Sequence, residues 1–145
     1  DAGETFQYFA TKGETTTREW YLRVGGTGNV RFVHTVPAST EDVSAGYSDD
    51  PLPLNEWVCV IATIESNQQN ATVKIYLNGV DSTIQQGGTS NASGINHEYL
   101  YFSKLWDQLD LGVSGYMDEV ATFIRPLTPS EAQQIYTLGT CVDTI

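Results

Sequence analysis

Hydrophobic and polar residues alternate along most of this chain in short runs that end at glycine, asparagine or proline. The runs 5–11, 19–24, 30–36, 57–64, 71–77 and 98–103 are rich in β-branched and aromatic residues, a composition typical of strands with one buried face. Asn78-Gly79 predicts a tight hairpin turn after 71–77, with 80–86 as the return strand. The pattern predicts a further long strand over 115–124.

Helical signals are confined to the C-terminal part of the chain. Thr128 is a capping residue, Pro129 suits the first helical position and Glu131 completes a capping box, while Gly139 marks a stop. The longest stretch without a strand pattern is 37–56, which contains three prolines and is expected to be an irregular loop. These signals predict an all-β fold: an antiparallel two-sheet sandwich with one short C-terminal helix.

Composition and charge exclude several classes of protein. The 145 residues are 40% hydrophobic and 17% charged, which indicates a folded domain rather than a disordered chain. No apolar run approaches the roughly 20 residues of a membrane-spanning helix. A net charge of −11 repels phosphate backbones, so we expect no nucleic acid partner and no membrane insertion. Binding of neutral sugars or cations remains compatible with this negative charge. The alternative interpretation is that the charge only keeps a secreted protein soluble.

The chain starts at Asp1 rather than at Met, so we expect that a leader was removed or that this is a piece of a longer polypeptide. Two sequons, at Asn70 and Asn91, would accept N-glycans on a eukaryotic secretory route, although such triplets also arise by chance.

Three segments together resemble a known family. They are the Trp57-Val-Cys-Val run with 73–79 (Val-Lys-Ile-Tyr-Leu-Asn-Gly), the segment 115–120 (Gly-Tyr-Met-Asp-Glu-Val), and 125–131 with Ile135-Tyr136 behind it. Their order and spacing are similar to those of concanavalin A-like, laminin G-like jelly rolls, including the pentraxin-related branch. The resemblance runs from about residue 4 to residue 136 and implies a jelly-roll sandwich that forms a single domain over 1–145.

The resemblance also implies that part of the fold lies outside this chain. Members of the family begin with one or two further strands, one of which pairs beside the strand matching 115–124. We therefore expect a missing first strand, supplied by another segment or by a neighbouring chain through strand addition, and a domain that belongs to a larger polypeptide or assembly. Cys59 matches the pentraxin cysteine, whose usual partner would lie in the absent strands. Two alternatives stay open: a Cys59–Cys141 disulfide that pins the terminal helix, or two free buried thiols.

Catalysis is not expected. Glycanases of this superfamily carry an ExDxxE motif on one strand face, and this sequence has none. Asp118 and Glu119 are adjacent, so on a strand their side chains would point to opposite faces. We expect structural roles for them, with one carboxylate holding backbone amides of a neighbouring loop. Trp57 is expected to open a strand and to pack into the inter-sheet core.

Ligand binding is expected on the loop 105–110. Trp106 beside Asp107, Gln108 and Asp110 combines an aromatic face with hydrogen-bonding groups, as pyranose sites do. Calcium loops of pentraxin-like members match the same loop, so Asp1, Asp107 and Asp110 are the candidate Ca²⁺ ligands. The alternatives are a solvated acidic loop for the carboxylates and core packing for Trp106. Trp20 and Tyr21 are adjacent and split between the two faces of their strand, with core packing expected for Trp20.

The function expected from these features is that of an extracellular, secreted or cell-surface module that binds a glycan or glycoprotein, or mediates adhesion, without catalysis. Two other functions remain: a structural subunit of an extracellular filament, sheath or coat, and an accessory domain of a secreted polysaccharide-degrading enzyme.

Overall fold

The computed structural model describes residues 6–13, 19–35, 42–67, 70–86, 99–104 and 111–139. Within these ranges the chain forms strands of two antiparallel sheets and one short helix, which confirms the predicted all-β sandwich. The elements are β1 (Gln7–Lys12), β2 (Trp20–Val24), β3 (Asn29–Thr35), β4 (Asp42–Pro51), β5 (Val60–Asn67), β6 (Asn70–Leu77), β7 (Val80–Asp81), β8 (Thr83–Gln86), β9 (Leu100–Phe102) and α1 (Pro129–Thr137).

The larger sheet has six strands in the order β8-β4-β3-β2-β1-β9, and the smaller has three in the order β5-β6-β7. Strands β2 and β3 form a hairpin that sets Trp20 opposite His34 and Val24 opposite Val30. The glycine-rich turn between them closes because Gly28 adopts a φ of +87°, which glycine reaches without a steric penalty.

The main hydrophobic core lies between the two sheets. Val30 and Phe32 of β3 pack there against Val73 and Ile75 of β6, and Trp20 joins them from β2 as predicted. The sheets approach each other closely where β4 crosses β6. A Cβ atom on Gly46 would lie only 2.7 Å from Val73 Cγ1, so this contact requires glycine on the β4 side.

Strand β4 corrects the prediction of an irregular stretch over 37–56. Residues 42–51 pair with β3 on one side and with β8 on the other. The prediction failed because these positions carry small and acidic residues instead of β-branched ones. Backbone pairing with two neighbouring strands outweighs that weak local preference.

The hairpin turn at Asn78-Gly79 has the predicted geometry, with φ values of 51° and 79°. Its return strand differs from the prediction because it divides between the two sheets. Strand β7 pairs with β6, whereas β8 pairs with β4 in the larger sheet. Ser82 lies at the crossing point: its N–H donates to the Ile75 carbonyl at 3.0 Å, and its carbonyl accepts from the Asp49 N–H at 2.7 Å.

The segment 115–124 is not the long strand that its pattern predicts. Among the described strands it has no ladder partner; the nearest pairing is an isolated parallel bridge between Tyr8 and Gly112. Most of its side chains are solvent-exposed, and Tyr116 retains 90% of its accessible surface. Strand propensity alone does not form a strand, because the backbone groups need a neighbouring strand to bond.

Helix α1 begins as predicted. The Thr128 hydroxyl accepts the Glu131 N–H at 3.2 Å, and a Glu131 carboxylate oxygen accepts the Thr128 N–H at 2.8 Å, completing the capping box. Arg125 forms two hydrogen bonds to Glu131, at 2.6 and 2.9 Å. The Arg125 guanidinium, followed by the Thr128 backbone and side-chain groups, lowers the pKa of Glu131 to about 2. No helix within the described part of the chain is long and apolar enough to span a membrane.

Candidate functional site

Most of the residues predicted to bind a ligand lie outside the described ranges. These are the candidate ligand and calcium residues Asp1, Trp106, Asp107, Gln108 and Asp110, the sequon residue Asn91 and Cys141. For Asn70 the structure describes only the backbone, at the start of β6. The sugar and calcium sites at these positions therefore stay predictions.

Asp118 and Glu119 do not have the predicted structural role. Both side chains are exposed, and Asp118 Oδ1 accepts the N–H of its own neighbour Glu119 at 2.8 Å. Glu119 has a φ of 50°, a left-handed conformation that interrupts a strand. Because the segment lies outside both sheets, neither of these two carboxylates is buried, and neither holds a loop within the described ranges.

Trp57 also departs from its prediction. It lies three residues before β5 and is 51% exposed, so it neither opens the strand nor fills the core. The β5–β6 ladder begins only at Val60, opposite Leu77, because β6 turns away at Asn78. The Asn78 side chain then accepts the Cys59 N–H at 3.0 Å in place of a strand partner.

Cys59 is 3% exposed and is disulfide-bonded. The alternative of a free buried thiol at this position is therefore wrong.

The outer face of the six-stranded sheet points away from β5, β6 and β7 and is largely buried, so the best-formed candidate surface is its rim. Four side chains of the outer face form a second buried cluster, with Phe6 and Leu111 packed against it. The four are Tyr8, Tyr21, Val33 and Ala45. Tyr21 thus points away from the core while its neighbour Trp20 points into it, as their adjacency predicts.

Arg23 lies in the floor of the outer face, surrounded by aromatic rings. Its guanidinium carbon is 3.6 Å from the centre of the Phe6 ring and 5.1 Å from that of Tyr21. One Nη atom donates to the Tyr8 hydroxyl at 3.2 Å. The register explains the arrangement, because Tyr8 on β1 lies directly opposite Arg23 on β2. Cation–π attraction holds the charged group among the rings.

The rim of the outer face is formed by β9 and the residues beside it. The rings of Tyr99 and Tyr101 lie 6.2 Å apart with a tilt of 56°, and Tyr99 is 72% exposed. Lys104 Nζ lies 4.3 Å above the Tyr101 ring, and the Lys104 carbonyl accepts the Thr11 hydroxyl. The rim therefore combines one exposed ring, one half-buried ring and one ammonium group.

No metal site is formed by the described residues of this surface. Within the ranges that the structure describes, no group of three or more His, Cys, Asp or Glu side chains could hold a metal ion. His34 lies on the opposite, inner side of its strand, opposite Trp20. Burial lowers the pKa of His34 below its usual 6.5, and the nearby Glu19 carboxylate opposes that shift.

Two stacked antiparallel sheets form a β-sandwich, the architecture to which jelly rolls belong. A family model described as the concanavalin A-like lectin/glucanases superfamily, Laminin_G_3, matches residues 1–133. The chain belongs to this family, which confirms the resemblance drawn from its motifs.

One solved structure is similar to the chain at low identity. It is the crystal structure of an S-layer domain-containing protein (residues 221–444) from Clostridium thermocellum ATCC 27405, with 18% identity and a TM-score of 0.40. The match covers 94% of this chain and 64% of that one, and we draw nothing about function from it. A comparison with curated proteins finds no match.

Sequence reasoning missed the outer-face residues as a group. The sequence predicts the strand that contains Tyr101 and the strand that contains both Tyr21 and Arg23. The hydrophobic pattern of the sequence does not reveal the strand order β2-β1-β9. This order brings Arg23 and Tyr101, about 80 positions apart in the sequence, onto the same face of the sheet.

Proposed function

We propose that this protein is a non-catalytic binding module that holds a glycan or glycoprotein at the β9 rim of its six-stranded sheet, in the manner of an adhesion domain. The observation that carries the proposal is the rim pair Tyr99 and Tyr101, of which Tyr99 is 72% exposed. Neither the core nor the sheet ladder needs an exposed ring at this position. An exposed ring beside a half-buried one, at the edge of an otherwise packed face, is a surface suited to a ligand.

The chemistry of the rim suits a saccharide. A pyranose ring presents an apolar C–H face that packs on a tyrosine ring, while its hydroxyls accept hydrogen bonds from a neighbouring donor such as the Lys104 ammonium. Calcium bound by Asp1, Asp107 and Asp110 would support such a site, and a chelator that leaves both the melting temperature and glycan binding unchanged would refute this part.

Absence of catalysis is part of the proposal and is supported by the sequence, which lacks the ExDxxE strand motif of the glycanases in this superfamily. An extracellular or cell-surface location is supported by the disulfide at Cys59, since such bonds persist in oxidising compartments.

The test is a glycan-array screen followed by calorimetry on the glycans that bind. Tyr99→Ala and Tyr101→Ala should each weaken binding by about tenfold, the equivalent of losing one ring contact. Tyr116→Ala is the control, because Tyr116 is an even more exposed tyrosine (90%) but lies on the segment 115–124. The proposal fails if no glycan binds, or if the Tyr99 and Tyr101 variants bind as tightly as the control.

A second candidate function, structural assembly by strand addition, is supported by the segment 115–124. Its apolar side chains Val120, Phe123 and Ile124 are exposed, and its backbone pairs with none of the described strands. Unpaired backbone groups next to exposed apolar residues favour pairing with a strand from another segment or chain. Val120→Asp should abolish concentration-dependent association in light scattering; a protein that stays monomeric at every concentration would refute this function.

A further inference from the structure

The two sheets of the sandwich differ in width, so the smaller one covers only part of the larger. Among the described residues the larger sheet has six strands and the smaller has three. The central strand of the smaller sheet, β6, packs on β8, β4 and β3. At a strand spacing of about 4.8 Å, the remaining strands β2, β1 and β9 extend the larger sheet by about 14 Å. Within the described part of the chain, the sandwich is therefore open along this side.

Side-chain exposure follows this opening. One cross-strand row on the inner face runs over β3, β2, β1 and β9 and consists of Phe32, Leu22, Ala10 and Phe102. Phe32 is buried in the core between the sheets, Leu22 is half-buried, and Phe102 is 45% exposed. Apolar side chains that point inward are thus left in contact with water toward β9, which is unfavourable.

The smaller sheet ends at an open edge beside the same opening. Because β7 continues directly into β8, β7 lies toward the β8 side and β5 toward the opening. Strand β5 is eight residues long, and only β6 pairs with it among the described strands. Its side chains Val60, Ala62 and Ile64 pack on the core but remain half-buried. Unpaired backbone above apolar side chains is a template for a further strand.

The segment 120–124 (Val-Ala-Thr-Phe-Ile) has the composition of a strand that this edge accepts. It carries no charged residue and is rich in β-branched and aromatic side chains. Val120 and Phe123 are more than half exposed, and Ile124 is fully exposed. The segment pairs with none of the described strands. Its five residues match the length of β2, so it is long enough to form one strand.

Both flanks of the segment 120–124 are anchored at the borders of the opening. Before the segment, the Val113 N–H donates to the Ser103 hydroxyl, just after β9, at 3.1 Å. After it, α1 packs against the hairpin turn at Gly79, and Asn78 of the same turn bonds to the residue that precedes β5. A possible donor strand and an open acceptor edge therefore lie on the same side of the molecule.

We propose that a second copy of this chain closes the opening, in a two-fold dimer in which the segment 120–124 of each copy adds to β5 of the other. Each copy has one donor and one acceptor, so a two-fold arrangement uses both in both copies. The net charge of −11 opposes general contact between copies, so the dimer depends on apolar burial and backbone pairing. This inference rests on the second candidate function, strand addition, and names its partner and acceptor edge.

Analytical ultracentrifugation over a concentration series should show a dimer that grows no further. Phe123→Asp in the donor and Phe102→Asp in the opening should each weaken dimerisation by about a hundredfold, because a ring contact worth about tenfold is lost twice. Leu138→Asp is the matched control, because Leu138 is 78% exposed at the end of α1, and it should leave the dimer intact. Thermal unfolding checks that each variant is folded.

A mixture of the two phenylalanine variants tests the exchange itself. Phe123→Asp keeps an intact acceptor and Phe102→Asp keeps an intact donor, so the mixed pair retains one complete exchange. The mixture should therefore associate more tightly than either variant alone. Hydrogen exchange on the unmodified protein gives a readout that needs no variant: the amides of β5 and of 120–124 should both become more protected as the concentration rises.

The possible outcomes separate this inference from strand addition in general. Association that grows beyond a dimer, or that Phe102→Asp does not weaken, overturns the two-fold exchange but leaves assembly by strand addition standing. An equal effect of Leu138→Asp, a mixture no tighter than its components, or a dimer without added protection at β5 also overturns the exchange. A protein that is monomeric at every concentration overturns both, and protected β5 amides in that monomer would show that the chain covers its own edge.

Discussion

The contact between Gly46 and Val73 makes the packing of the two sheets directly testable. A Cβ added to Gly46 would lie 2.7 Å from Val73 Cγ1 and 3.1 Å from Val73 Cβ. The distance of 2.7 Å is shorter than the contacts that Cβ atoms make in real proteins. Val73 is completely buried beside Phe32 and Ile75, so it has no free space to move into. Gly46→Ala must therefore force the sheets apart or push Val73 out of its rotamer.

The expected cost follows from opposing effects. Overpacking a well-packed core lowers the free energy of unfolding by about 1–3 kcal/mol. Replacing glycine by alanine reduces the conformational entropy of the unfolded chain, which raises the free energy of unfolding by about 0.4–1 kcal/mol. Gly46→Ala should thus lower the free energy of unfolding by about 1–2 kcal/mol. Val73→Ala removes two buried methyl groups and should cost about 2–3 kcal/mol by itself.

The double variant should cost less than the sum of the two. The space vacated by Val73→Ala accepts the new methyl group of Gly46→Ala, so we expect a favourable coupling of about 1–2 kcal/mol. Urea unfolding followed by tryptophan fluorescence measures all three free energies, with equal m-values as the check that the folded state is unchanged. Gly115→Ala is the control, because its added Cβ would meet only Val113, at 3.8 Å.

Two results would refute this reasoning about inter-sheet packing. One is a Gly46→Ala protein as stable as the parent. The other is strict additivity in the double variant, since additivity would mean that β4 and β6 do not touch at these side chains.

Three further predictions concern pH, the helix cap and the disulfide. Because burial lowers the pKa of His34, the unfolded chain binds a proton on this side chain more readily than the folded protein does. The free energy of unfolding should therefore be highest above pH 6.5 and should decrease below it. In thermal melts at several pH values, His34→Gln should reduce this pH dependence, and an unchanged dependence would contradict the prediction. Thr128→Ala should lower the free energy of unfolding in urea by about 1 kcal/mol, whereas Thr128→Asp, which can still cap the helix, should retain it. An equal loss of stability in both variants would show that helix capping by Thr128 is not the cause. Reduction of the Cys59 disulfide should cost about 2–4 kcal/mol, and non-reducing peptide mapping should recover Cys59 joined to Cys141; an unbridged Cys59 peptide would contradict this.

Local chemistry was sufficient to predict several parts of this protein. The turn at Asn78-Gly79 needs two positive φ angles, and the capping box at Thr128 and Glu131 is satisfied by neighbours within one helical turn. The split of Trp20 and Tyr21 between core and outer face follows from strand geometry alone. Each of these depends on residues close together in sequence, so no knowledge of distant contacts was required.

Tertiary structure decided the rest, because pairing and burial depend on which segments meet. Residues 42–51 have weak strand propensity yet form β4, since strands on both sides bond to them. The segment 115–124 has strong strand propensity yet pairs with none of the described strands. The cationic, ring-lined outer face exists only because β1 stands between β2 and β9, which carries Arg23 and Lys104 to one surface. Periodicity shows which residues share a face, but the order of strands across a sheet is set by long-range pairing that no local pattern encodes.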